Sequence, residues 1–184
     1  MASFPEKTGF LWLNNTMRML WEQHAAWTRM TIISIVEDLA DVEPVTRRLL
    51  RNPGDFAAVF RRFYGKQTAD RVETLFTEHL VLAAELVQAA KAGDVEAAQE
   101  AERRWYANGD EIAAFLSRIN PFWNRQEMER LWRVHLDQVR DQALARLNGD
   151  YEEDIFFYDQ GEKHVLKMAD EFTRGIARQF RSSS

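Results

Sequence analysis

Three histidines stand at the same place in three similar stretches: "LWEQH" ends at His24, "LFTEH" at His79 and "LWRVH" at His135. In each, a Leu-aromatic pair precedes the histidine by one helical turn. One imidazole on an apolar face is ordinarily a core histidine bonded to a neighbour. Three at one register invite a different chemistry. Neutral imidazole is the commonest metal ligand, and imidazoles with a carboxylate suit divalent Zn, Fe, Mn or Ni.

The elements that must position them read as helices. Leu13, Met17, Leu20, His24, Trp27 and Thr31 form one stripe at three- and four-residue steps. Val72, Leu75, His79, Leu82 and Leu86 form a second, and Met128, Leu131, His135, Gln138 and Gln142 a third. Each histidine therefore lies on an apolar face. His79 and His135 are 56 residues apart, as are Gly93 and Gly149 and the aspartates that follow them, Asp94 and Asp150. His24 precedes His79 by 55. The pattern predicts helix-hairpin units at approximately 10–64, 67–119 and 122–181, with the histidines on parallel outgoing arms. Because helix axes pack about 8–10 Å apart, the imidazoles are expected within roughly 10 Å of one another. A duplicated hairpin would copy its histidine, so the three positions are not independent evidence.

The return arms supply further candidates. His79 lies fourteen residues before its turn, about 21 Å at the rise of a helix. Fourteen residues past Asp94 the chain returns to that height at Asn108, with Glu111 one turn beyond. The same construction from Asp150 reaches 162–165, where Glu162 is the polar residue on the stripe and Asp159 lies nearer the loop. The expected metal ligands are His24, His79, His135 and Glu162. Asn108, Glu111, Asp159, Tyr158, Trp21 and Trp132 are expected around them, and His164, beside the stripe, is expected to stand apart.

Two other readings fit the same residues. Trp21, Trp27, Trp105, Trp132, Tyr106 and Tyr158 could line a pocket for a small organic ligand or haem, which calls for a cavity of about 300 Å³ or more at the histidines. Alternatively, the layer is a buried polar network in a metal-free interaction protein. No Glu-x-x-His pair appears, so one ion with one ligand per helix fits better than a dinuclear site. Gly65-Lys66 lacks the rest of a phosphate loop, and no nucleophile elbow is present. Catalysis is left open.

The bulk properties set the frame. At 184 residues, 46% hydrophobic and 29% charged, the chain suits a single domain. It has no cysteine, which excludes disulfides and thiolate metal sites. With four prolines, eight glycines and no alternating β-branched run, it reads as an all-α helical bundle. Five long helices are expected at about 10–40, 67–92, 94–119, 122–148 and 150–181, with a two-helix crossover near 43–51 and 53–64. A net charge of −5 argues against nucleic acid as the partner. No apolar run reaches the ~18 residues of a membrane span, and the N-terminus lacks the pattern of a secretory signal, so no membrane partner and a cytoplasmic location are expected. Arg47, Arg48, Arg51, Arg61, Arg62 and Lys66 face Asp55 alone between 44 and 66. That segment could take an anion, but a solvated helix face explains it more simply.

"LWEQHAAWTR", "WYANGDEIAAFLSRINPFW" and "ARLNGDYEEDI" together resemble a family of small uncharacterised bacterial all-helical proteins, over most of the chain. The resemblance implies no established activity. A kinase label carried by some members has no phosphate-binding motif to support it here.

Overall fold

The computed structural model describes residues 6–181, with side chains from 9 to 180. Among these the chain is helical throughout: α1 (Glu6–Val36), α2 (Val42–Leu49), α3 (Asn52–Ala92), α4 (Val95–Ile119), α5 (Arg125–Leu147) and α6 (Tyr151–Arg181). This is the expected all-α bundle of five long helices. The crossover after α1 is made by α2 and the first part of α3. Gly65, with φ 79° and ψ 179°, is the non-helical residue inside α3. It stands in the gap expected between the helices near 53–64 and 67–92, and glycine suits the positive φ.

α3 and α4, α4 and α5, and α5 and α6 pack as successive neighbours. α6 also packs on α1, and α1 on α3, so the long helices close into a ring; α1 touches α5 across it. The two turns anticipated at Gly93 and Gly149 have positive φ, 71° and 79°. Gly93 N–H donates to the Ala90 carbonyl and Asp94 N–H to that of Ala89, both at 3.1 Å. Gly149 N–H donates to Arg146 (3.1 Å) and Asp150 N–H to Ala145 (2.9 Å). These are the paired bonds of a Schellman ending, made twice with partners 56 residues apart. Asp94 caps α4 by accepting from Ala97 N–H at 3.0 Å, and Asn124 caps α5 by accepting from Glu127 N–H at 3.1 Å.

A buried ion pair locks the start of α6 to the rest of the bundle. Asp154 has no exposed surface. Arg29 of α1 donates to it through both terminal nitrogens, at 2.5 and 3.0 Å, and Gln142 of α5 donates at 3.2 Å. Removing one partner strands the other charge in the interior. Asp154→Ala is therefore expected to lower unfolding stability by about 3 kcal/mol, read as a shift in the urea midpoint. A shift within experimental error would mean that Arg29 reaches solvent by another route.

Among the described residues, three of the six cations of the basic segment have carboxylate partners. Arg47 pairs with Glu43 at 2.7 Å, and Arg61 and Lys66 share Asp70 at 3.2 and 2.5 Å. Arg48 lies over the Trp27 ring, 4.9 Å from its centroid. No described helix is long and apolar enough to cross a membrane.

Candidate metal centre

The three imidazoles meet. Their ring centroids are 6.0 Å (His24–His79), 5.3 Å (His24–His135) and 5.7 Å (His79–His135) apart. One ligand nitrogen from each lies within 4.8 Å of the others. All are buried, at 2–3% exposure. The expectation of one layer within about 10 Å holds, and so does the parallel direction of the arms. The residues four beyond the histidines, Thr28, Ala83 and Val139, line one common cavity, as do Ile32, Val87 and Ala143 further on. α1, the second part of α3 and α5 must therefore run the same way past it.

Below the layer lies an aromatic floor. Trp21, Phe76 and Trp132 each precede a histidine by three residues, and their centroids are 5.5–6.4 Å apart. Trp21 and Trp132 stand around the histidines as expected, 5.4 Å from His24 and 5.1 Å from His79, and fill the core there; they line neither cavity next to the layer. Above the layer the side chains are smaller, and the common cavity there has a volume of about 240 Å³. Its wall includes Trp105, which stacks on His79 at 5.5 Å, but none of the three histidines.

The protonation of the layer follows from its hydrogen bonds. Asn52, at the start of α3, donates from Nδ2 to the Leu20 carbonyl at 3.0 Å, which turns its Oδ1 toward His24 Nδ1 at 3.2 Å. An amide oxygen only accepts, so His24 carries its proton on Nδ1 and a lone pair on Nε2. His135 Nε2 lies 3.3 Å from that lone pair and is therefore the donor between them, leaving His135 Nδ1 without a partner. Asn108 repeats the role of Asn52. Its Nδ2 donates to the Leu75 carbonyl at 3.2 Å, and its Oδ1 and His79 Nδ1 are left for each other outside strict bonding geometry.

Burial holds all three imidazoles neutral. It pushes His24 down to about 4, with the Asn52 bond opposing. It pushes His79 down to about 3, helped by the charge His24 would carry, and lowers His135 well below the usual range. Neutral imidazole is the form that ligates a metal.

The other expected residues divide. Asn108 is buried beside His79 as anticipated. Glu162 is not brought into the cluster. It lies against Glu22, whose carboxyl is raised first by burial and then by the Glu162 charge. It lines a small cavity of about 20 Å³ with His135, Gln138 and Tyr158. Tyr158 is half-buried under Arg29, 5.0 Å from its centroid. Asp159 is exposed, and Glu111 is exposed and paired with Arg71, so neither supports the layer.

Two residues beside the histidines were not anticipated. Asn52 falls in the gap expected between the crossover helices near 43–51 and 53–64. His164, expected to stand apart, bonds the Leu131 carbonyl through Nε2 at 2.8 Å, one turn before His135. The 56-residue spacing is the signal that could have found both, since Asn52, Asn108 and His164 follow one another at that interval. Comparison of the chain with protein-family models, with curated proteins and with solved structures returned no match.

Proposed function

We propose that the chain binds one divalent transition metal per molecule through His24, His79 and His135. The observation that carries this reading is the 3.3 Å approach of His24 Nε2 to His135 Nε2 within a buried cluster of three imidazoles. Two nitrogens about 2.05 Å from one ion at the tetrahedral angle stand about 3.3 Å apart. Asn52 and Asn108 support the reading, because an acceptor on Nδ1 of a ligating histidine is the usual means of presenting its Nε2 lone pair. The cluster includes no carboxylate among the described residues. A set of three protein ligands leaves a coordination position open, as in metal sites that act on water or on a substrate. Zn, Fe, Mn and Ni all suit three imidazoles.

The cavity above the layer favours a small ligand as a second component. Its wall is mostly apolar, with Ile32, Ile35, Leu80 and Val87 among its residues, and it also includes three threonines, Glu85, Gln88 and Arg140. Thr28 and Val139 separate it from the small cavity at His135 and line both. A molecule with an apolar body fits that wall, with its polar end toward the layer.

Elemental analysis after zinc loading and desalting tests the proposal. About one zinc per chain is expected. The melting temperature should rise with added zinc and return with chelator, since an ion bound only by the folded state stabilises it. A zinc-free chain whose melting temperature ignores both would overturn the reading and leave the buried polar network.

A further inference from the structure

The three ligands are not equivalent. A metal needs a lone pair from each imidazole. His24 presents one at Nε2 because Asn52 holds its proton on Nδ1. Asn108 stands beside His79 on the matching carbonyl, but its Oδ1 and His79 Nδ1 stay outside bonding geometry, so the pairing is looser there. His135 instead points its Nε2 proton at His24.

The residues behind the ligands form a matching set. Asn52, Asn108 and His164 each bond the carbonyl four residues before a ligand: Leu20 before His24, Leu75 before His79 and Leu131 before His135. In a helix that carbonyl also accepts the ligand's own backbone N–H, so each partner is anchored on the turn that carries its histidine. An amide donates with its nitrogen and accepts with its oxygen. A neutral imidazole that donates from Nε2 likewise keeps a lone pair on Nδ1. His164 thus repeats the donor-and-acceptor pattern of the two asparagines. No hydrogen bond joins it to His135, whose Nδ1 is unpartnered. Two lone pairs cannot bond each other, and the tautomer of His135 derived above leaves a lone pair on each.

We propose that His135 changes tautomer when the metal binds, its proton passing from Nε2 to Nδ1, and that His164 is the positioning residue that accepts the new Nδ1–H. The proton count of the protein does not change. One N–H bond breaks at Nε2, one forms at Nδ1 by exchange with solvent, and the freed Nε2 pair becomes the third ligand. The site is then preset at two ligands and completed at the third.

This inference rests on the metal reading, and its test keeps the two apart. Imidazole nitrogen shifts in ¹⁵N-labelled protein report the tautomer of each histidine before and after zinc. In the metal-free chain His24 and His79 should be protonated at Nδ1 and His135 at Nε2. With zinc bound, all three should be protonated at Nδ1. A His135 already protonated at Nδ1 without zinc overturns the switch while leaving the metal site standing. Zinc affinity adds a second readout. His164→Asn, which installs the residue used behind the other two ligands, should keep affinity within a few-fold. His164→Leu should weaken it by about 10- to 100-fold, the usual cost of losing such a partner. Equal affinities for His164→Leu and wild type would overturn the positioning role, and the wild-type spectra decide the switch even if that variant folds poorly. If wild type binds no zinc, the metal reading and the switch fail together, and the metal-free spectra still decide whether Asn52 and Asn108 set the tautomers.

Discussion

Lowering the pH from 7 to 5 is expected to remove roughly 6 kcal/mol from the stability of the metal-free protein, through three histidines alone. The folded state holds His24 near 4, His79 near 3 and His135 well below its usual value, all through burial. The unfolded chain takes up protons at the ordinary value of about 6.5. A group whose folded value is depressed in this way costs the fold nothing through titration while it is neutral in both states. Unfolding then becomes easier as pH falls below 6.5, because only the unfolded chain accepts the proton. Each imidazole contributes about 2 kcal/mol over this window. A domain is typically stable by about 5–15 kcal/mol, so the loss is a large share of the total. Asp70, Glu100 and Glu127 are held below the usual carboxylate range by Lys66, Arg103 and Arg130, so their contribution is lost only in stronger acid. Urea midpoints at pH 7, 6 and 5 measure the effect. A stability that is flat across that range would mean that the imidazoles are protonated in the fold.

The architecture was legible because few signals compete in this chain. Stripes at three- and four-residue steps place the helices, and Gly93, Asp94, Asn124 and Gly149 place their ends by turn and cap chemistry that is local. The histidine layer was legible for the same reason, since each histidine occupies the middle of an apolar stripe and the hairpin spacing makes the arms parallel. Glu162 shows where such reasoning stops. Counting rise along α6 finds the correct height to within one turn, but two residues rotate a side chain by about 200° around the helix. At that height Glu162 faces Glu22 of α1 while His164 faces the Leu131 carbonyl of α5. Asn52 was hidden differently. It begins the second helix of the crossover, just after the short α2, and an eight-residue helix is too short for its periodicity to say which way the next one points. Its interval from Asn108 was readable, but only a contact such as the Leu20 carbonyl gives that interval a meaning.

Replacing a histidine of the layer by leucine is expected to make the metal-free protein more stable and, on the proposed function, to abolish zinc binding. His79 is the clearest case. It is 2% exposed, and its Nδ1 closes no full hydrogen bond, so the fold bears the cost of a desolvated polar atom there. Leucine removes that cost and packs against Trp105 and Trp132, which stack on and abut the imidazole at 5.5 and 5.1 Å. His79→Leu should gain about 1 kcal/mol at pH 7 and about 2 kcal/mol more at pH 5, where one proton fewer separates the unfolded from the folded chain. The same change should weaken zinc binding by well over a hundredfold, more than the loss of a partner behind a ligand. A protein gives up stability at a site it uses, and such sites are where stabilising substitutions abolish function. The buried polar network predicts the opposite sign, because there His79 would be present for the stability its interactions bring. His135→Leu is the internal comparison. It also removes an unpartnered Nδ1 but breaks the bond to His24, so its gain at pH 7 should be smaller than that of His79→Leu, with the same loss of zinc. A His79→Leu variant that is less stable than wild type at pH 5 and still binds zinc would refute the assignment of the layer as a metal site.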